Sequence, residues 1–172
     1  MWWTRAPWSV VRAVSSGPSR NGSRLRSLLE TPLRSGRPPF RFGFGLFVDG
    51  QFAGEINLNT VQRGPFQNAY VGYWIDEAVA GRGLMPEAVV VVARFAFEEL
   101  GLHRLQISII PRNAASRRVP EKLGLRDEGV AVRYLEINGV WEDHVRYAIT
   151  AEEWDERREE LERDWLGPGG PP

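Results

Sequence analysis

Tyr73-Trp74-Ile75-Asp76-Glu77-Ala78-Val79-Ala80-Gly81-Arg82-Gly83-Leu84 reads as a strand that passes through a glycine-containing turn directly into a helix. Downstream of it Leu84, Ala88, Val91, Val92 and Phe95 recur at spacings of three and four, Leu100 follows them, and Gly101 supplies a stop. The apolar stripe of so long a helix needs a sheet to pack on. A strand-to-helix turn of this kind exposes backbone N–H groups at the positive end of the helix, which suits phosphate or pyrophosphate. Gly81 and Gly83 let backbone approach an anion, and Arg82 adds a full charge. The same glycines would also serve a plain tight turn, and the residues alone do not separate the two readings.

Upstream, Phe42, Phe44, Leu46 and Val48 alternate as in a strand, and a second strand over residues 52–58 resumes beyond Asp49-Gly50. That dipeptide is a hairpin signal, because both central positions of a type I′ turn need positive φ. A polar loop is expected over residues 59–68 and a third strand over 69–76. After the long helix come a β-branched strand at 104–110 and a helix at 113–123, opened by Asn113 and closed by Gly124. Two strands, 129–137 and 140–149, are joined by Asn138-Gly139, and a charged helix is expected over 151–165. Hairpin, strand, long helix, strand, helix and hairpin in this order predict a mixed α/β (α+β) fold, a mostly antiparallel central sheet flanked by helices.

The chain of 172 residues is 42% apolar and 26% charged, enough for one well-cored domain. Without cysteine it has no disulfide scaffold, structural zinc finger or cysteine nucleophile, and its two histidines argue against a multi-histidine metal site. The formal net charge is zero but unevenly placed. Residues 1–37 hold seven Arg and one acid, whereas 151–172 hold eight acids and three Arg. The arginines of the first segment are scattered among Ser, Pro and Gly, which reads as a solvated or intramolecular arm rather than a nucleic-acid tether. No run reaches signal-peptide length or the ~20 apolar residues of a membrane span, so a cytoplasmic protein without membrane or sequence-specific nucleic-acid partners is expected.

A second turn, Ile110-Pro111-Arg112-Asn113-Ala114-Ala115-Ser116, again feeds a strand into a helix. Asn113 and Ser116 stand three apart, so one extended ligand could meet both. An ordinary Asn cap beside a surface Ser is the simpler reading of that spacing. Nucleotide motifs fit less well: Gly-Lys-Ser/Thr is absent, and Gly81-Arg82-Gly83-Leu84-Met85-Pro86 lacks the third glycine of the dinucleotide fingerprint. An acid for a ribose hydroxyl is hard to place, with Glu98 and Glu99 the nearest.

Taken together, residues 70–77, 80–86, 113–119, 121–124 and 133–144 resemble the GNAT acetyltransferases, and within them the RimJ/RimL branch of ribosomal-protein N-terminal alanine acetyltransferases. The resemblance covers about residues 40–154. It implies the acyl-CoA N-acyltransferase (GNAT) fold, acetyl-CoA as co-substrate, no metal, and an amine acceptor on a protein N-terminus or a small molecule. It implies further that Val79, Ala80, Gly81, Arg82, Gly83 and Leu84 hold the pyrophosphate, that the strand ending at Ile75 pairs with the pantetheine, and that Asn113 contacts the cofactor arm. Ser116 matches the family serine proposed to protonate the leaving thiolate. The resemblance also frames three segments: a basic, partly disordered arm over 1–39 with a short helix near 25–33, a GNAT body over 40–150, and an acidic helix with a disordered tail over 151–172.

The chain departs from that family at several points. The family's phosphate loop opens with Arg or Gln where Ala78 stands here. Pro120 lies inside the second helix, where it predicts a kink and removes an N–H that would bond back toward Ser116. A glutamate base found in some relatives falls on Leu135, and Glu136 is one residue on, on the other sheet face. Glu55, Tyr73 or an ordered water stay open as base. The N-terminus reads as short: either the first strand is lost, with residues 8–14 its only upstream likeness, or the start lies upstream of Met1.

A base matters less for an α-amine, roughly one tenth neutral at pH 7, than for a lysine, neutral about once in a few thousand. The expected activity is therefore acetyl transfer from acetyl-CoA to the N-terminal α-amine (Ala or Ser) of a ribosomal or other protein, the arm's charge favouring a ribosome-associated acceptor. A small-amine or antibiotic acetyltransferase and a non-catalytic acyl-CoA-binding module are the alternatives.

Overall fold

A computed structural model describes residues 11–16 and 41–167. The basic arm's expected helix near 25–33 and the tail beyond Gly167 lie outside the described residues. Seven strands form one sheet in the order β1-β2-β3-β4-β5-β7-β6. They are β1 (Val11–Ser16), β2 (Phe42–Val48), β3 (Gln51–Gln62), β4 (Asn68–Ile75), β5 (Arg104–Ile109), β6 (Arg126–Ile137) and β7 (Val140–Thr150). Neighbours are antiparallel except β1 with β2 and β4 with β5. A strand thus stands at the N-terminal edge, overlapping the segment that resembled one in the sequence.

Both hairpin dipeptides adopt the expected left-handed pair, with φ of 51° and 80° at Asp49 and Gly50 and 51° and 81° at Asn138 and Gly139. Elsewhere the elements run longer or break differently from the sequence pattern. β3 continues to Gln62 where a loop from Asn59 was expected, because Thr60 at φ 50° makes a bulge and pairing resumes at Gln62 opposite Asn68. The long helix is regular only over α1 (Leu84–Arg94) and ends in a π turn, Phe95–Glu99, closed by the Leu100 N–H on the Phe95 carbonyl at 3.1 Å. That wider turn carries Phe95 edge-on to Phe42 and Phe44 of β2, and Phe97 stacks on Trp154.

Helices α1, α2 (Ala114–Lys122) and α3 (Ala151–Leu166) join one apolar core with a single sheet face, through Ile56, Leu58, Val71, Leu105, Ile107, Tyr147 and Ile149. α3 is closed at its start by a capping box between Thr150 and Glu153 and buries Trp154, Leu161 and Trp165. Strand alternation puts the partners of these residues on the other face: Glu55 and Asn57 on β3, Tyr70 and Trp74 on β4, Gln106 and Ser108 on β5, Arg146 on β7. None of the helices among the described residues is long and apolar enough to cross a membrane.

Candidate active site

β4 and β5 are paired over three residues only, Asn68 with Arg104, Ala69 with Leu105 and Tyr70 with Gln106. Beyond Tyr70 they part. β4 stays with β3, paired to Ile75 and tied by the Asp76 N–H to the Ala53 carbonyl at 2.7 Å. β5 stays with β7 as far as Ile109. The strands therefore splay, and between them the edge groups of residues 71–75 and 107–109 face a gap instead of each other.

Both sides of the gap run into a helix. After β4, a single 3₁₀ turn at Glu77–Val79 is held by Asp76, whose side chain accepts from the Ala78 N–H at 2.8 Å. Gly81 and Gly83 both sit at φ 79°, a region glycine enters without steric cost, and Gly83 caps α1 with no side-chain bond. A Cβ built on Gly81 would meet nothing within 4 Å among the described residues, so the loop stands open on that side. The Glu87 N–H reaches the Gly83 carbonyl and starts the helical ladder. Ahead of it, the N–H groups of Leu84 and Met85 have no intrahelical acceptor, and Pro86 has none to offer. Val79, Ala80, Gly81, Arg82, Gly83 and Leu84 are thus brought together around one open helix N-terminus, which fits a pyrophosphate. The Arg82 guanidinium folds back onto the Ala78 carbonyl at 3.3 Å, so a cation stands at the Ala78 end of the loop even though Ala78 has no charge of its own.

After β5, Asn113 caps α2, its Oδ1 accepting the Ser116 N–H at 3.1 Å. Arg112 just before it holds Glu142 of β7 through two bonds of 2.7 and 2.8 Å, and this pairing lowers the Glu142 carboxyl below the usual range. Pro120 does lie within α2. Lacking an N–H, it leaves the Ser116 carbonyl without its helical partner, and the Tyr73 hydroxyl from β4 fills the place, donating at 2.9 Å. One bond across the gap so links Tyr73, Ser116 and Pro120. The missing N–H was legible in the sequence; its replacement from a strand forty-three residues earlier was not. Burial, with Tyr147 nearby, pushes the Tyr73 phenol well above its ordinary value, which keeps the hydroxyl protonated and a donor.

Glu55 lies on the opposite sheet face, beside Trp74 in register, with its Oε1 3.9 Å from the Arg41 guanidinium. Leu135 and Glu136 sit near the tip of the β6–β7 hairpin, opposite Glu142 and Trp141, and both are exposed. No group of three His, Asp or Glu among the described residues is arranged to hold a metal ion.

A splayed parallel pair with an open helix N-terminus on one side accords with the family profile that matches this chain. The acetyltransferase (GNAT) domain profile covers residues 3–126. The chain belongs to the GNAT acetyltransferase family. Among GNAT relatives, the probable N-acetyltransferase YjcK of Bacillus subtilis (strain 168) is 46% identical over 110 residues, covering 63% of this chain and 61% of that protein. The ribosomal protein uS5-alanine N-acetyltransferase of Escherichia coli (strain K12) is 35% identical over 151 residues, 86% of this chain and 76% of that one. Mycobacterium smegmatis RimJ, solved in complex with CoA-disulfide, superposes with a TM-score of 0.61 at 35% identity, over 66% of this chain and 55% of RimJ. The match to YjcK and the superposition on RimJ each span less than two thirds of the relative's own length.

Proposed function

We propose that this protein transfers acetyl from acetyl-CoA to the N-terminal α-amine of a protein, with an Ala or Ser at that end and a ribosomal protein as the leading acceptor. The observation that carries the reading is the open N-terminus of α1 at Gly83, set beside the gap where β4 leaves β5. When bound, acetyl-CoA supplies the activated acetyl thioester. The residues fitted to hold it are Val79 to Leu84 for its pyrophosphate, the free edge of β4 up to Ile75 for its pantetheine, and Asn113 for the arm. Backbone N–H groups of the free edge polarise the acetyl carbonyl.

Ser116 is the proposed acid for the departing thiolate, and Tyr73 is its positioning residue, holding the helical turn in place through the Ser116 carbonyl. A protonated Tyr73 is not suited to take up the amine's proton, which leaves Glu55, on the face from which an acceptor approaches, or water for that role. An α-amine, about one tenth neutral at pH 7, requires little of such a base. The division of the chain follows: residues 40–150 carry the site, and α3 packs against them. The acceptors in the relatives' names support a ribosomal substrate and a cytoplasmic place of action. Calorimetric titration with acetyl-CoA, followed by mass spectrometry of peptides beginning with Ala or Ser against a panel of small amines, tests the proposal. Binding with acetylation of the peptides is expected; turnover of small amines alone refutes the N-terminal acceptor, and binding without any turnover refutes the enzyme.

A further inference from the structure

Arg146 on β7 stands apart from the other arginines near the site. Arg104, Arg112, Arg117 and Arg126 each pair with a glutamate. Arg146 has no carboxylate within ion-pair distance among the described residues. Its guanidinium instead lies 5.3 Å from the centre of the Tyr134 ring and donates to Gln106 Oε1. Gln106 in turn donates to Asn68 Oδ1 at 2.7 Å, and both amides are buried, at 1% and 0% exposure. The result is a half-buried cation held in one orientation by a cation–π contact and an amide relay, yet not neutralised. Its Nε, like the Oγ of the facing Ser108, is buried without a hydrogen-bond partner among the described residues. A guanidinium withdrawn from water with donors unspent is costly unless an anion joins it.

Its place says where that anion comes from. Ser108 and Arg146 form the next pair on their sheet face after Tyr70 and Gln106, where β4 and β5 are last joined. Ser108 therefore borders the gap, and Arg146 lies one strand spacing of about 4.8 Å behind it on β7, within reach of the gap for its long side chain, on the face away from the helices. The anion-binding turn at Gly83 opens α1 on the helix side, which leaves the other face to the acceptor.

We propose that Arg146 binds a carboxylate of the acceptor close to the amine that is acetylated, making the enzyme selective for acidic acceptors. This rests on the reading of the gap as the acetyl-transfer site. The carboxylate belongs to an acidic side chain next to a protein N-terminus or to a free amino acid; the planar fork of Arg146 suits either. The test uses the full chain with acetyl-CoA and two matched pairs: peptides beginning Ala-Glu and Ala-Gln, and alanine with alaninamide. The charged member of one pair is expected to exceed its neutral partner about tenfold or more in kcat/KM, and which pair responds identifies the source. Arg146→Gln should bring the responding pair within about twofold. If the peptides respond, Arg146→Glu should turn the preference toward peptides beginning Ala-Lys, a gain that a misfolded variant cannot show. If only alanine responds, an unchanged ratio in Arg146→Gln overturns the assignment. Equal rates within both pairs in the parent protein overturn the proposal and leave the acetyltransferase reading standing. Absence of turnover with every acceptor overturns both.

Discussion

The two strand-to-helix junctions that border the gap are built from the same parts and closed in opposite ways. At the start of α2 the Asn113 side chain takes the N–H of the third helical residue, Ser116. At the start of α1 the cap is Gly83, without a side chain, and the third helical residue is Pro86, without an N–H. A capping side chain ordinarily closes on the second or third N–H of a helix. The junction at Gly83 therefore leaves its positive end open to an external anion, and the one at Asn113 spends a donor on its own cap. One end is left free for a ligand, and the other is closed by its own side chain. The contrast also explains why similar turns, each able to attract a ligand on paper, are not equivalent sites.

The sharpest way to break this contrast is to block the open end. Gly81→Trp fills space in which no atom of the described residues lies within 4 Å of the new Cβ, so the fold bears chiefly the cost of a non-glycine residue at φ 79°, about 1–2 kcal/mol. Acetyl-CoA affinity should fall at least about a hundredfold, since several N–H contacts to one anion are lost together. Calorimetry measures the affinity and a thermal melt the stability. An affinity within a few-fold of the parent would show that the anion binds elsewhere.

An intermediate effect is expected where the junctions meet. Tyr73→Phe leaves the Ser116 carbonyl with neither its helical donor nor the phenol, costing about 1–3 kcal/mol in stability. Pro120→Ala restores an N–H four residues beyond that carbonyl. In the Tyr73→Phe background it should recover about 1 kcal/mol that it does not yield in the parent protein. Urea unfolding of the four proteins reads this out, and strictly additive changes would deny that Tyr73 and Pro120 share one acceptor.

These effects mark the limit of what the sequence discloses. Asp49-Gly50, Asn138-Gly139 and the alternation around them identify the hairpins, because a period of two and a need for positive φ are local properties. The glycine turn and the Asn113 cap are local as well, and both stand where their spacing puts them. The parting of β4 from β5 is not local: Val71 and Ile107 look like ordinary strand residues, and nothing in either strand says where their pairing ends. The Tyr73 bond to Ser116 and the relay from Arg146 through Gln106 to Asn68 depend on strands and helices far apart in sequence. Gln106 and Ser108 alternate with Leu105, Ile107 and Ile109, a pattern that normally reads as one wet face, so the burial of Gln106 and of the Ser108 hydroxyl carries no sequence signal.

The smallest expected effect concerns the closed junction. Asn113→Ala removes the cap on the Ser116 N–H and should cost about 1 kcal/mol, as helix caps usually do. For a protein of this size that lowers the melting temperature by roughly 2–4 °C. Asn113→Asp keeps an oxygen for the cap and should melt near the parent, while losing the amide N–H that a cofactor arm would use. If the aspartate variant keeps its stability but binds acetyl-CoA more weakly, Asn113 serves the cofactor as well as the helix. Parent affinity in both variants would confine Asn113 to its cap, and the two junctions would then be fully divided, the one at Gly83 for the ligand and the one at Asn113 for the fold.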